Sequence, residues 1–147
     1  MKILALVAFT LCASVACSNA SDPADSAALS INELMTDVVT PASNTLWSVE
    51  DPQTDTQWLV FINAASQLIA AGERIKRGGI GPNDATWAAD PAWQTFANTL
   101  IDAANDARSA AQAKDLDALL NANDILYPPC EECHIQFHSG VDTGELN

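Results

Sequence analysis

Five consecutive residues near the C-terminal end of the chain, Cys130-Glu131-Glu132-Cys133-His134, set the strongest constraint on its fold. The two thiols lie one short turn apart, and an imidazole follows the second thiol directly. In a c-type haem, two such thiols add to the vinyl groups of one porphyrin and the histidine becomes an axial iron ligand. The spacing therefore predicts one covalent haem c on Cys130 and Cys133 with His134 as proximal ligand, and the rest of the chain must fold around this turn.

Three other uses of these residues compete with haem attachment. A redox pair of the thioredoxin kind needs a βαβ unit, and no strand pattern precedes Cys130. A compact zinc site would combine the two cysteines with His134 and His138, at a closer spacing than zinc fingers use. A disulfide between Cys130 and Cys133 would close a small, strained loop. Haem attachment is favoured, while the zinc and disulfide alternatives stay open at this level.

The first 20 residues have the organisation of an export signal. Lys2 gives a positive start, an apolar stretch follows it, and small residues precede a cleavage point after Ala20. The sequence before Cys17 also resembles a bacterial lipoprotein box, so an alternative signal would end there and leave Cys17 lipidated. Residues 21–29 are predicted to be a flexible linker. We therefore expect a periplasmic protein, either soluble or held at a membrane through a lipid on Cys17.

Apolar residues at helical spacing predict that residues 30–147 form one domain of four main helical segments. The first begins at Ser30, where Glu33 completes a capping box, and Pro41 is expected to kink or divide it. The second runs from Thr54 to Lys76. The predicted inward face of the first segment consists of Ile31, Met35, Val38, Ala42 and Leu46.

The second half of the domain shows two further helical segments after a glycine-rich loop that carries Trp87. Asp90 and Pro91 give the third segment a cap and a first residue, and its pattern fades near Lys114. The fourth begins near Asp115, and Pro128-Pro129 is expected to interrupt it before a short helix carries the haem motif. Short and moderate connections predict an all-α fold, an antiparallel four-helix bundle with the haem on the C-terminal helix.

The charge balance is strongly acidic, with six Lys or Arg residues against 19 Asp or Glu and a formal net charge of −13. A nucleic-acid partner is therefore not expected. A redox protein with a basic docking patch is the predicted partner, and its encounter should depend on salt. The chain also shows no nucleophile and base at a useful spacing, so we expect it not to be an enzyme.

The residues from Cys130 to His138 resemble the ending of class II cytochromes c, the cytochrome c′ type, with Phe137 as the aromatic residue three places after the ligand histidine. The stretch from Leu34 to Trp47 is similar to a subgroup of small exported proteobacterial cytochromes of this class. Two departures stand out. Pro128-Pro129 lies where the family has a continuous helix, and Ile31-Asn32 replaces an Arg-Gln pair.

This resemblance implies a role for Met35. Low-spin members of the class use a methionine of the first helix as the sixth iron ligand, and Met35 lies on the predicted inward face of that helix. The implied function is electron transfer by a monohaem cytochrome, with Met35 as candidate distal ligand. The alternative is a five-coordinate haem that binds nitric oxide or carbon monoxide. The resemblance also implies that a homodimer is an available state.

Overall fold

The computed structural model describes residues 29–138, and every element in this part of the chain is helical. The all-α prediction is therefore confirmed for these residues. The predicted export signal, Cys17 and all of the linker except Leu29 lie outside them, as do residues 139–147. Within residues 29–138, no helix has the length and apolarity needed to cross a bilayer. The helices are α1 over 31–47, α2 (Asp55–Arg77), α3 (Asp84–Ala88), α4 (Pro91–Ala113) and α5 (Leu116–Phe137).

Side-chain caps fix where the helices begin. Ser30 and Glu33 form the predicted capping box at α1, and Asp90 caps α4 by accepting a hydrogen bond from the Ala92 backbone N–H. Thr54 forms a second capping box with Gln57 at α2. These side chains pair backbone N–H groups that a helix cannot satisfy by itself.

The first helix changes its hydrogen-bond pattern before Pro41. Residues Ile31–Leu34 and Thr40–Trp47 are α-helical, whereas Met35–Val39 form a π-helical segment in which the Thr40 N–H donates to the Met35 carbonyl. Pro41 therefore neither divides the helix nor ends it. The wider turn shifts the inward face by one position, so Val39 is buried and the predicted Val38 is only half-buried.

The last helix also runs differently from the prediction. It is continuous from Leu116 to Phe137 and includes both Pro128 and Pro129, so the expected interruption is wrong. A proline lacks the N–H that would bond one turn back, and its ring crowds that carbonyl. Burial of Pro129 and Leu126 against the core supports the helical path through this point.

Small residues set the close packing in the middle of the fold. α2 packs most extensively against α4, α4 against α5, and α1 against α2. A Cβ atom on Gly72 of α2 would lie 2.5 Å from the Ile101 side chain of α4, so glycine permits this approach. The buried face of α4 is largely alanine, which brings helix backbones together. Its fully or nearly buried alanines are Ala97, Ala103, Ala104, Ala107, Ala110 and Ala111.

The connection between α2 and α4 was expected to be a loop, but it contains the short helix α3. Its Trp87 stacks on Trp93 of α4 with ring centroids 5.4 Å apart and so covers part of the core. The edge of Phe137 meets Trp93 on another side, at 5.1 Å. These rings join the connection, α4 and the end of α5.

Asp84 links the start of α1 to this connection through hydrogen bonds. Its buried Oδ2 accepts hydrogen bonds of 2.8 Å from the backbone N–H groups of Ile31 and Gly81. Asp84→Ala would leave both donors without a partner, so we expect the free energy of unfolding to fall by about 2–4 kcal/mol. Asp90→Ala removes one partly buried cap and should cost about 1 kcal/mol. Urea denaturation of the two variants checks this order, and equal costs would contradict it.

Candidate functional site

A cavity of about 750 Å³ opens beside the Cys-x-x-Cys-His turn. This volume lies within the range of small-molecule and cofactor sites. Its walls come mainly from α1, α4 and α5, and most of the lining side chains are apolar or aromatic. The lining residues are Met35, Val39, Thr40, Ser43, Asn44, Trp47, Ile75, Phe96, Ala97, Leu100, Tyr127, Pro129, Cys130, Glu131, Cys133, His134, Ile135 and His138.

The cavity lies where the packing between α1 and α5 is incomplete. These two helices make few close backbone approaches, whereas each packs well against another helix. They meet at one end, where the Asn123 side chain donates a 2.7 Å hydrogen bond to the Leu46 carbonyl and Tyr127 contacts Trp47. Beyond this end, the space between their facing side chains forms much of the cavity.

All four predicted site residues line this one cavity. Cys133 and His134 follow Cys130 by three and four residues, which places all three on one side of α5. Met35 lines the cavity from α1, at the first position of the π-helical segment. The structure therefore brings together residues that lie about 100 positions apart in the chain.

Both thiols are unbonded and partly buried. The Cys130 thiol donates to the Leu126 carbonyl, with the sulfur 3.2 Å from the oxygen. Burial raises the pKa of Cys130 above its usual value. Burial, followed by the charge of Cys130, raises the pKa of Cys133 to about 11. Both cysteines therefore keep their protons at neutral pH.

His134 favours its neutral form. Its ring lies 5.7 Å from that of His138 between centroids. Desolvation, followed by the charge of His138, lowers the pKa of His134 below 6.5. A neutral imidazole has the nitrogen lone pair that an iron ligand requires. Within residues 29–138, no group of three or more His, Cys, Asp or Glu side chains is placed so that it could hold a metal ion by itself.

This electrostatic arrangement predicts a pH dependence of the haem-free protein. As the pH falls through 6.5, the unfolded chain takes up a proton at His134 before the folded chain does, so stability should decrease until the lower folded pKa is passed. The titration can be followed by NMR of the His134 imidazole protons. His138→Gln leaves His134 as the single histidine and should raise its pKa towards 6.5. A His134 pKa at or above 6.5 in the unsubstituted protein would contradict the prediction.

Several residues outside the predicted set also contribute to the cavity. Ser43 is 3% exposed, and its hydroxyl has no hydrogen-bond partner within residues 29–138. Phe96 of α4 is half-buried and also lines the cavity. Sequence periodicity does not reveal Ser43, because the π-helical segment moves it onto the inner face. Trp47 also lies at the cavity.

Three basic residues occupy the last turn of α2, where their charge suits the negative end of the helix dipole. None of Arg74, Lys76 and Arg77 is among the lining residues, and no Lys or Arg of the described chain is. Lys76 instead lies 3.9 Å from the Glu73 carboxylate, as a partly exposed pair on α2. The residues that could meet a carboxylate inside the cavity are neutral donors such as Ser43.

No family model, curated protein or solved structure matches this chain.

Proposed function

We propose that this protein is an exported monohaem c-type cytochrome that carries electrons in the periplasm. The observation that carries this proposal is the single cavity shared by Cys130, Cys133 and His134 of α5 and Met35 of α1. The fold proposed with it is an antiparallel four-helix bundle of α1, α2, α4 and α5. Short connections between successive packed helices support this topology.

The residues of the cavity fit a haem in size and chemistry. A cavity of about 750 Å³ with a mostly apolar lining suits a flat, apolar ring system. Cys130 and Cys133 would hold the ring through thioether bonds, because each neutral thiol can add its S–H across a vinyl group. His134 and Met35 would be the protein ligands of the iron. When bound, the haem supplies one-electron redox chemistry, whose potential depends on axial ligands and burial.

The chain's own residues would tune such a site. The buried side chains of Val39, Ala97 and Leu100 keep water from the inner wall. Phe137 packs its edge against Trp93 and Phe96, which fixes the turn of α5 that carries His134. A rigid turn limits the movement of an axial ligand, and this favours fast electron transfer because little rearrangement is needed.

A five-coordinate haem that binds nitric oxide or carbon monoxide is the second candidate function. It is favoured by one observation: Val39, a buried apolar residue of α1, lines the same cavity as Met35. An apolar residue opposite His134 would leave the sixth position of the iron free for a diatomic ligand. The two functions therefore differ in which residue of the π-helical segment faces the iron.

The test is coexpression of the full chain with a bacterial haem-attachment system, followed by mass spectrometry and optical spectra. The expected result is one covalently bound haem per chain. Cys130→Ala/Cys133→Ala should show the mass of the chain alone, and circular dichroism should show that the variant stays helical. A chain that gains no covalent haem under conditions in which another c-type cytochrome is matured would overturn the proposal.

A further inference from the structure

Two aromatic side chains lie exposed at the edge of the cavity. Trp47 of α1 is 41% exposed and Tyr127 of α5 is 54% exposed, and both also line the cavity. Their rings meet edge to face with centroids 6.0 Å apart. Trp93, by contrast, is 2% exposed in the core. Trp47 and Tyr127 thus present apolar surface to solvent at the place where the cavity opens.

The outer side of α5 extends this surface. Asp124 precedes Tyr127 by three residues and Glu131 follows it by four, so both lie on the same side of the helix. Ile135 follows Glu131 by four residues, is 70% exposed and lines the cavity. The surface therefore has three apolar side chains with carboxylates between them. We call Trp47, Tyr127, Ile135, Asp124 and Glu131 the mouth patch.

The charges of the chain are distributed unevenly around the mouth patch. No Lys or Arg occurs from residue 31 to residue 73 or from residue 115 to residue 147. All basic residues other than Lys2 therefore fall between Arg74 and Lys114, on α2, on α4 or just after α4. The two helices that form the mouth patch carry only acidic charges. Their field is negative on this side of the molecule and would attract a positive surface.

We propose that the mouth patch is the docking surface for a basic redox protein. This inference rests on the proposed function and adds the place of electron exchange. An exposed apolar centre with charges around it is the usual anatomy of a transient interface. Charge complementarity steers the encounter, and a small contact area lets the partners separate after transfer. Docking at the cavity opening also gives the shortest path to a group held by Cys130 and His134.

The test uses zinc-substituted mitochondrial cytochrome c, a basic protein, as the probe. Its photoexcited porphyrin loses one electron, and the ferric iron of the haem-loaded protein gains it. Two variants with identical net charge are compared: Asp124→Lys at the mouth patch, and Asp106→Lys on the exposed side of α4. Mass, optical spectrum and circular dichroism are recorded first, so that haem content and fold are matched.

Asp124→Lys is expected to lower the second-order quenching rate constant about fivefold at low salt, because a charge changed within about a Debye length of the contact acts strongly. Asp106→Lys should lower it by less than about twofold, since screening removes most of a remote effect. Both differences should disappear in about 0.5 M salt. Equal slowing by the two variants, or none by either, would overturn the docking surface while the cytochrome proposal stands. Absence of covalent haem in the unsubstituted protein would overturn both.

Discussion

Trp93→Ala is expected to lower the free energy of unfolding by about 3–5 kcal/mol. The side chain is 2% exposed, and its removal would leave a large void between α2, α4 and α5. Its ring stacks on Trp87 and receives the edge of Phe137. Its Nε1–H also donates a 2.8 Å hydrogen bond to the Ile75 carbonyl. The substitution therefore removes burial, two ring contacts and one hydrogen bond together.

The matched control is Trp47→Ala, which removes the same side chain from a site where it is 41% exposed. Much less burial is lost there, so the expected cost is about 1 kcal/mol. Trp93→Phe keeps an aromatic ring and loses the bond to Ile75, and it should fall between these values. Equilibrium urea unfolding of the haem-free proteins measures all three. Similar costs for the two alanine variants would contradict the central role of Trp93.

Met35→Ala should change the iron site more than any other single substitution in α1. If Met35 is the sixth ligand, carbon monoxide must displace it in the reduced protein. Without the Met35 sulfur, the iron position that carbon monoxide takes is always open. Carbon monoxide should therefore bind about 10- to 100-fold more tightly. The ferric optical spectrum should also change from low spin to high spin. Spectral titration of the haem-loaded protein measures both effects.

Met35→Leu separates ligation from packing, because leucine keeps most of the volume and has no sulfur. It should behave like Met35→Ala in the spectra and like the unsubstituted protein in stability. Val39→Ala is the second control, since it widens the same wall and leaves the sulfur in place. A high-spin ferric spectrum that neither substitution of Met35 alters would contradict ligation and favour the five-coordinate candidate.

The sequence predicted those parts of the fold that depend on local interactions. Caps at Ser30 and Asp90 and the end of α4 near Lys114 follow from neighbouring residues, and the structure confirms them. The interruption predicted at Pro128-Pro129 was wrong, because tertiary packing there outweighs the loss of backbone hydrogen bonds. In α1 the chain adopts wider turns before Pro41, and in α5 it stays helical through both prolines.

The candidate site also combines residues whose placement follows from local spacing with residues whose placement depends on tertiary packing. Cys130, Cys133 and His134 share a cavity because their spacing already places them on one side of a helix. Met35 was predicted as a site residue from the resemblance to class II cytochromes c, and the structure places it at that cavity. The contribution of Ser43 depends on how α1 is wound, and that of Ile75 on where α2 ends against its neighbours. Neither contribution can be predicted from the apolar periodicity of one helix.

The π-helical segment Met35–Val39 lies between two α-helical parts of α1, Ile31–Leu34 and Thr40–Trp47. An α-helix transmits any insertion as a rotation of everything that follows, whereas a wide turn absorbs one extra residue. Deleting one residue within 36–38 should therefore restore ordinary winding and leave the start of α1 and the residues from Thr40 onwards in place. The cavity wall formed by Met35 and Val39 would then be shortened by one residue, while the hydrogen bond from Asn123 to the Leu46 carbonyl is kept. The segment is thus a point at which the cavity wall can change in evolution while the rest of α1 keeps its place.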